Sequence, residues 1–249
     1  MNRAALFFLN VYLYSLFLFI SGLVTPILTG VVVALAPISP RRRSMKRFRR
    51  FISWYGKIIT RAAYPFIKVR YEDHAEQGAE GPFIFVCNHQ SASDPFLMSV
   101  LPHECVQIVN IWPFRIPVLG VYARFAGYLN IRMMSHGQFI EKASRLLEQG
   151  VSVIFFPEGT RSTTGKMGSF HGAAFRLALE TKAPVVPLCI TGNAQIPPKG
   201  SLLLRPGTIR IRRLPAVTWN EYKDVNAFTL KNRVWKIIDR ELTSMESKA

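Results

Sequence analysis

His89 and Asp94 are the two residues whose types and spacing are best suited to proton transfer. An imidazole accepts a proton near neutral pH, and a carboxylate on its other nitrogen fixes the tautomer and stabilises the cation. Because five residues is too far for neighbours on one helix face, residues 90–93 must form a turn that brings the pair together. Taken alone, the two residues also fit a surface histidine beside a helix-capping aspartate.

A second polar loop, residues 157–162 with the sequence Pro-Glu-Gly-Thr-Arg-Ser, offers groups that bind an oxyanion. Gly159 allows close backbone approach, Thr160 supplies a hydroxyl and Arg161 supplies a forked cation, which together suit a phosphate. Glu158 cancels part of that charge unless it binds an acceptor hydroxyl or holds Arg161 in place. An ordinary polar loop with a Glu–Arg pair remains the alternative that these residues alone leave open.

Each of the two loops follows a short apolar run that is typical of a buried strand. Residues 83–87 precede His89, and residues 151–156 lead into the second loop. Pro95 suits the first turn of a helix capped by Ser93 or Asp94. In an α/β fold, both loops would lie at the carboxyl ends of strands, which is where open sheets bind ligands.

Strand and helix patterns alternate from residue 83 to about residue 190, which predicts an α/β fold with a largely parallel sheet flanked by helices. Alternating Ile and Arg predicts a half-exposed strand at the edge of the sheet for residues 208–213. The other predicted elements are strands at 106–109 and 128–132 and helices at 94–101, 116–126, 139–147 and 227–242.

The three cysteines, Cys87, Cys105 and Cys189, are odd in number and widely spaced. That pattern indicates neither a disulfide framework nor a metal site. Cys87 and Cys189 fall in predicted strands, so we expect them to be small core residues in a reducing compartment.

The positive charge of the chain is concentrated at its N-terminal end. The 249 residues carry a net charge of +17, and residues 1–70 hold 12 Lys or Arg with no Asp or Glu. A basic segment of this strength indicates nucleic acid or anionic lipid as a partner. The sequence has no zinc-ligand spacing, RNA-binding signature or helix-turn-helix pattern, so lipid explains the charge better and no nucleic-acid partner is expected.

Residues 4–37 contain no charged side chain and exceed the length of about 20 residues that a membrane span needs. Gly22, Pro26 and Gly30 leave two arrangements open: a tilted span with an apolar extension, or a short helical hairpin that dips into one leaflet and returns. A cleaved signal peptide fits less well, because its apolar region is about 7–15 residues long.

The basic cluster at residues 41–50 overlaps an amphipathic pattern at residues 44–63. Such a helix beside an apolar segment marks the cytoplasmic side and binds anionic headgroups, although it could also pack on the globular domain. We therefore predict an N-terminal membrane anchor at residues 1–63 and an α/β domain at residues 64–249.

Together, the two motifs resemble those of the lysophosphatidic acid acyltransferase family of glycerolipid acyltransferases. The family's first block, Asn-His-x-x-x-x-Asp, is matched by Asn88, His89 and Asp94, and its third block, Phe-Pro-Glu-Gly-Thr-Arg-Ser, is matched unchanged by residues 156–162. The resemblance covers about residues 60–215. It implies the glycerolipid acyltransferase fold with an N-terminal membrane-embedded helical segment.

Two other blocks depart from the family pattern. The second block usually reads Gly-x-x-Phe-Ile-Asp-Arg, whereas residues 127–132 are one residue shorter and place Ile131 before Arg132. Downstream of the third block the family often has Phe-Lys-x-Gly, whereas this chain has His171 after Phe170. Both departures concern the headgroup of the acceptor.

The resemblance implies transfer of a fatty acyl group from acyl-CoA or acyl carrier protein to the free hydroxyl of a lysophospholipid. The implied acceptor is 1-acyl-sn-glycerol-3-phosphate, which would give phosphatidic acid. His89 is then the catalytic base and Asp94 its support, without a cofactor or metal. The implied substrate-binding residues are Asn88, Arg132, Glu158, Gly159, Thr160, Arg161 and Ser162.

The same resemblance implies a membrane protein whose active site lies on the cytoplasmic face, in a bacterial inner membrane. Membrane lipids with anionic headgroups and the acyl donor are its expected partners. Other acceptors, such as a lyso-amino-acid lipid, remain open, and so does a membrane-surface thioesterase or lipase in which water accepts the acyl group.

Overall fold

A computed structural model describes residues 2–35, 37–75, 81–109, 117–162 and 166–247, without the side chains of residues 117–119 and 121. The chain divides into two compact units. The first unit consists of Met1–Arg70, Ser91–Pro102 and Gly192–Ile209, and the second of Tyr71–Gln90, His103–Thr191 and Arg210–Ala249. Both units are therefore discontinuous in sequence, and the predicted domain boundary after residue 63 stays a prediction.

The strands of the described chain are β1 (Ile67–Asp73), β2 (Ile84–Cys87), β3 (Cys105–Val109), β4 (Leu129–Asn130), β5 (Ser152–Phe155), β6 (Val185–Thr191) and β7 (Gly207–Arg213). They form one sheet in the order β1-β7-β6-β2-β5-β3-β4. β2 pairs in parallel with β5 and β6, and β3 pairs in parallel with β4 and β5. The carboxyl ends of these five strands therefore lie along one edge.

Two strand predictions are wrong in detail. The sequence predicts an edge strand at residues 208–213, but β1 lies outside β7 in the sheet. The Ile–Arg alternation also buries Arg213 on the same face as Ile209 and Ile211, because side chains repeat every two residues. The predicted strand at residues 128–132 is limited to β4, since the 3₁₀ helix Ile131–Met133 follows at once.

The first unit contains α1 (Arg3–Leu35), α2 (Arg41–Ala62) and the short α3 (Asp94–Leu97), which continues as the 3₁₀ helix Met98–Val100. α1 is one continuous helix, so a hairpin that turns back near Gly22 and Gly30 is excluded. Ala36, at the end of the predicted apolar segment, lies outside the described residues. Within the described chain, α1 is the helix that is long and apolar enough to cross a membrane.

α2 returns alongside α1, where the hydroxyls of Ser21 and Tyr55 lie 2.7 Å apart. Phe96 of α3 packs against both helices, with its ring centroid 6.4 Å from those of Phe17 and Tyr55. Close contact is built into α2 at Gly56, because a Cβ there would lie 2.6 Å from the Cβ of Ser99. The helix that carries Asp94 is thereby packed on the two N-terminal helices.

The second unit adds α4 (Pro117–Ala126), α5 (His136–Glu148), α6 (Ala173–Thr181), α7 (Trp219–Tyr222) and α8 (Ala227–Ser247). Ile116, the predicted first residue of α4, lies outside the described residues. α8 extends five residues beyond its predicted end. These helices pack on the buried strands through side chains at helical spacing, which for α8 are Leu230, Val234, Ile238, Leu242 and Met245.

Cys87 and Cys189 lie in the core of the second unit, as predicted. All three are free thiols, and Cys87 and Cys189 are fully buried in β2 and β6. Burial raises the pKa of the Cys189 thiol far above its usual value, so this thiol stays protonated.

Candidate functional site

Asn88 fixes the point where the chain leaves β2. Its side chain is buried, donates from Nδ2 to the carbonyl of Ile190 (2.9 Å) and accepts the Ile190 N–H at Oδ1 (2.8 Å). The Asn88 side chain therefore continues the hydrogen bonding between β2 and β6 by one more pair of bonds. The sequence predicts a substrate contact for Asn88 instead. His89 follows from a position that the sheet defines.

Glu158 connects the second motif to the main chain of His89. Its Oε1 accepts the His89 N–H at 2.7 Å, and its Oε2 accepts the Gly168 N–H at 2.7 Å. The side chain is only 7% exposed, and bonds from a backbone N–H to a buried carboxylate are among the stronger hydrogen bonds. The carbonyl of His89 is held as well, because it accepts a hydrogen bond from the Ser162 N–H (2.9 Å). The loop after β5 thus holds the His89 backbone at both its donor and its acceptor.

The His89 ring lies against Phe156, the last apolar residue before the second motif. The ring centroids are 4.7 Å apart and the planes are inclined by 35°. An aromatic ring on one side limits the rotation of the imidazole and excludes water there.

Gly159 lets His171 come close to the second motif. Gly159 has φ of 68°, a conformation that favours glycine, and a Cβ there would lie 3.1 Å from the His171 ring. The His171 N–H also donates to the carbonyl of Pro157 (2.8 Å). The residue that replaces the family's usual cation is therefore fixed beside the loop.

Trp235 of α8 anchors the outer end of the Glu158 connection. Its Nε1–H donates to the carbonyl of Gly168 (2.8 Å), while the N–H of the same glycine donates to Glu158. A chain of hydrogen bonds therefore runs from Trp235 through Gly168 and Glu158 to the main chain of His89. No sequence pattern singles out Trp235, which is one aromatic residue in an amphipathic helix 67 residues from Gly168.

Arg132 and Arg161 lie at the same edge of the sheet. Arg132 is exposed on the 3₁₀ helix after β4, where its N–H donates to Asn130 Oδ1 (3.0 Å), and Arg161 follows β5 and is half-buried. Since β3 separates β4 from β5, the ends of these strands are about 10 Å apart.

Thr160 and Ser162 differ in how their hydroxyls are placed. Thr160 is exposed at the loop tip, whereas the Ser162 Oγ donates to the carbonyl of Lys166 (2.7 Å). Thr160 therefore suits a substrate contact, and Ser162 closes the loop on itself.

Asp94 belongs to the first unit, where its carboxylate is fully buried. Oδ2 accepts the Ser91 N–H at 3.0 Å, and Oδ1 accepts a hydrogen bond from the side-chain amide of Asn193. Ser91 is itself held, since its Oγ donates to the carbonyl of Ile196 (2.6 Å). Asp94 is the first residue of α3 after the N-cap Ser93, so it occupies the helix start that the sequence predicts.

The sequence predictions do not include Asn193, although a Gly-Asn pair directly after a buried strand is a recognisable turn signal. Gly192 has φ of 79°, and a Cβ there would lie 2.1 Å from the carbonyl oxygen of Thr208. This turn brings Asn193 to Asp94. Because His89 lies in the second unit and Asp94 in the first, the pairing of their side chains stays a prediction.

A family model described as Acyltransferase matches residues 66–191. The chloroplastic 1-acyl-sn-glycerol-3-phosphate acyltransferase LPAT1 of Arabidopsis thaliana is 33% identical over 171 residues, which cover 67% of this chain and 48% of that protein. The 1-acyl-sn-glycerol-3-phosphate acyltransferase alpha of Ovis aries is 34% identical over 158 residues, with shares of 61% and 55%. The chain spans about half the length of the first curated relatives it matches.

Among solved structures, the 1-acyl-sn-glycerophosphate acyltransferase PlsC of Thermotoga maritima matches with a TM-score of 0.78 and 25% identity. The match covers 99% of this chain and 98% of that one. It confirms the predicted fold, a largely parallel sheet flanked by helices with a long apolar helix at the N-terminus.

Proposed function

Since this chain belongs to the Acyltransferase family, we propose that it transfers a fatty acyl group from a thioester to the free hydroxyl of a lysophospholipid. The proposed acceptor is 1-acyl-sn-glycerol-3-phosphate, the compound in the names of the curated relatives, and the product is phosphatidic acid. The proposed donor is acyl-CoA or acyl carrier protein.

The convergence of the two motifs on His89 carries this proposal. They are separated by 69 residues in sequence, yet Glu158 and Ser162 hold the amide and the carbonyl of His89 at 2.7 and 2.9 Å. A base candidate and an oxyanion-binding loop are thereby fixed to each other at the carboxyl edge of the sheet. Acyl transfer to a phosphate-bearing alcohol needs both groups in one place.

In the proposed mechanism, His89 takes the proton of the acceptor hydroxyl while the hydroxyl oxygen attacks the thioester carbonyl. The carbon–sulfur bond breaks as the ester forms, and the departing thiolate takes the proton from the imidazolium. Asp94 orients the ring and stabilises its cation. No acyl-enzyme is needed, because a thiolate leaves readily.

Arg132 and Arg161 bind the acceptor phosphate in this proposal, and Thr160, exposed next to Arg161 in sequence, adds a hydroxyl. Guanidinium groups suit this task because they donate two parallel hydrogen bonds to a phosphate. Asn88 and Glu158 act as positioning residues, since their oxygen atoms bind the backbone of Ile190, His89 and Gly168.

The arrangement of α1 and α2 supports attachment to one membrane leaflet. α2 lies alongside α1 at Ser21 and Tyr55, so an α1 that crossed the bilayer would take cations of α2 into the hydrocarbon. A cation at the bilayer centre costs about 2.5–3.5 kcal/mol. We therefore place both helices in the interface of the cytoplasmic leaflet of a bacterial inner membrane, with the α2 cations towards anionic headgroups. The α2 cations that are not buried are Arg41, Arg42, Arg43, Lys46, Arg47, Arg50, Lys57 and Arg61, whereas Arg49 is buried.

The base assignment is tested with His89→Ala in purified membranes, using a labelled acyl thioester and 1-acyl-sn-glycerol-3-phosphate. General base catalysis contributes about 10²–10⁴-fold, so the turnover number should fall by that factor. His136→Ala is the matched control, because His136 is exposed on the first turn of α5. Retained turnover above about one per cent of wild type would remove His89 from the role of base.

The acceptor assignment is tested with Arg132→Ala and Arg161→Ala. Each variant should raise the KM for the phosphate-bearing acceptor without a matching change for the thioester. Arg145→Ala is the control, because Arg145 pairs with Glu141 on the exposed face of α5. An unchanged KM in both variants would favour another acceptor, such as a lyso-amino-acid lipid. Acyl release by wild type without any lysolipid would favour a thioesterase.

A further inference from the structure

The apolar helix α1 holds an irregular loop, residues 199–206, through two of its few polar side chains. The Asn10 amide donates from Nδ2 to the carbonyl of Leu204 (2.9 Å) and accepts the Leu204 N–H at Oδ1 (2.7 Å). One turn further along α1, the Tyr14 hydroxyl donates to the carbonyl of Leu202. The first unit contains both partners, so these bonds define one local structure.

Hydrogen bonds also satisfy three of the six other backbone N–H donors of this loop. The Leu203 N–H donates to the Ser201 Oγ (2.9 Å), and the N–H groups of Ser201 and Arg205 donate to the carbonyls of Pro198 (3.1 Å) and Gln195 (3.3 Å). Irregular backbone is compatible with the apolar part of a membrane only where its polar groups are bonded in this way.

The side chains of the loop present an apolar tip between two cations. Leu202, the first of three consecutive leucines, is 76% exposed. Lys199 precedes these leucines and Arg205 follows them, and both are exposed. Next to the loop, α1 and the residues after α2 add exposed aromatic side chains, and the rings of Tyr12 and Phe66 are in edge contact at 6.2 Å. The large exposed apolar side chains in the first part of α1, in the loop and at residues 64–66 are Phe7, Phe8, Val11, Tyr12, Leu202, Tyr64 and Phe66.

We propose that residues 199–206 form a second lipid-contacting element, which inserts Leu202 into the same leaflet that α1 contacts. Exposed apolar side chains of this kind mark an interaction site. The hydrogen bonds that join the loop to α1, which has no charged residue after Arg3, identify the partner as lipid. Lys199 and Arg205 reach back to anionic headgroups while the leucines enter the acyl region. The inference shares with the proposed function only the attachment of α1 to a membrane.

Asn10 has a defined task in this arrangement. A polar residue in a membrane-facing helix is costly and usually marks a functional contact, and Asn10 is only 8% exposed. Its amide replaces the hydrogen bonds that water would otherwise make to Leu204. Because Asn10 joins the loop to α1, the loop and the helix enter the leaflet together.

A fluorescent label at position 202 tests the proposal on the full chain. Leu202→Cys is made with Cys105→Ser, because Cys87 and Cys189 are buried, and is labelled with a nitrobenzoxadiazole dye. The protein is then bound to vesicles of phosphatidylcholine and phosphatidylglycerol. Nitroxides on the lipid acyl chains should quench this label, and aqueous iodide should quench it about threefold less than in a control at Phe228→Cys. Phe228 is comparably exposed, at 66%, on α8.

The outcomes separate lipid from other occupants. A label at 202 that iodide quenches and nitroxides do not would mean an exposed loop and would overturn the proposal. Protection from both quenchers would mean that a protein or a second copy covers the loop, which also overturns it. A label at Phe19→Cys on the exposed face of α1 reports the helix separately. If nitroxides quench neither the label at position 202 nor the label at position 19, the membrane attachment in the proposed function fails. If nitroxides quench the label at position 19 but not the label at position 202, only this inference fails.

Asn10→Leu tests how the loop is held. This substitution removes both hydrogen bonds to Leu204 but keeps α1 apolar and helical. Nitroxide quenching at position 202 should fall by about half as the loop leaves the leaflet, while quenching at position 19 stays unchanged. Unchanged quenching at position 202 would show that Asn10 does not hold the loop. None of these measurements depends on catalytic turnover.

Discussion

Glu158 and Asp94 are two buried carboxylates, one in each unit, and they are held in different ways. Glu158 receives the backbone N–H groups of His89 and Gly168. Asp94 receives one backbone N–H, from Ser91, and one side-chain amide, from Asn193. A backbone donor cannot turn away from an altered partner, whereas a side-chain amide can rotate. We therefore expect a change at Glu158 to disturb the fold more than a change at Asp94 does.

Asp94→Asn should have the largest effect on turnover and a small effect on stability. The Oδ1 atom of Asn193 is buried without a hydrogen-bond partner in the described part of the chain, so rotation of its amide lets it accept from the new side chain. The free energy of unfolding should fall by less than about 1 kcal/mol. If Asp94 supports the His89 imidazolium as proposed, kcat should fall by about 10²–10⁴-fold.

Acyl transfer and chemical denaturation of the same Asp94→Asn preparation measure both quantities. Asn193→Leu is the companion variant, since it removes the donor but leaves the carboxylate. It should lose more stability and less turnover than Asp94→Asn. The reverse order would mean that Asp94 serves the fold rather than the chemistry.

Glu158→Gln should show the opposite balance. The substitution places an NH₂ group against one of two backbone N–H donors, neither of which can rotate away. A hydrogen bond to a charged acceptor is lost and a buried donor is left unsatisfied, so the free energy of unfolding should fall by about 2–4 kcal/mol. Denaturant titration measures this loss, with Glu148→Gln at the exposed end of α5 as the control. Equal losses in Glu158→Gln and Asp94→Asn would remove the distinction between the two carboxylates.

The difference between the carboxylates also shows what the sequence could and could not predict. The strands before His89 and before residues 157–162 are continuous apolar runs, and parallel pairing then brings both loops to one edge without further information. The same reasoning correctly predicts α5 and α8. The sequence alone does not reveal what Glu158 binds, because a backbone N–H has no residue signature and any loop can supply one.

Long-range pairing accounts for the other errors. β1 covers β7 because of strand order, which local periodicity does not encode. Arg213 is buried because it shares a face with Ile211, and ring contact with Phe83, with its guanidinium carbon 5.0 Å from the ring centre, compensates part of the cost. Asn193 and Trp235 reach the site from elements 99 and 67 residues away from their partners, so their roles depend on the fold being known.

Trp235→Phe tests whether the Glu158 connection depends on its outer anchor. The substitution removes one indole donor to Gly168 but keeps an aromatic ring on α8, so it should cost about 0.5–1.5 kcal/mol of local stability. Hydrogen exchange of the Gly168 and His89 amides should quicken by a corresponding factor. Trp219→Phe is the matched control, because Trp219 contacts Tyr222 (5.3 Å between ring centroids) in α7. Equal exchange in the two variants would mean that Glu158 is held without α8.

His103 contrasts with Glu158 and Asp94, because this polar side chain is half-buried but its Nε2 is not held by a hydrogen bond as the two carboxylates are. Its ring contacts Phe83 at 5.1 Å, and its Nε2 is buried without a hydrogen-bond partner in the described part of the chain. Burial lowers the pKa of His103 below its usual value, the nearby Arg213 lowers it further, and Asp73 opposes the change. The folded protein therefore keeps His103 neutral where the unfolded chain is already protonated.

The sign of the pH effect follows from this difference. Between the lowered pKa of the folded state and the ordinary value of about 6.5, the unfolded chain binds the extra proton, so stability should fall as the pH falls through that window. His103→Leu should flatten this part of the stability profile, whereas His136→Leu, at an exposed position, should leave it unchanged. Unfolding midpoints measured between about pH 5 and pH 7.5 test the effect. If His103→Leu does not alter the dependence of stability on pH, burial of the His103 imidazole does not disfavour its charged form. The contrast with the hydrogen-bonded carboxylates of Glu158 and Asp94 would then have no physical basis.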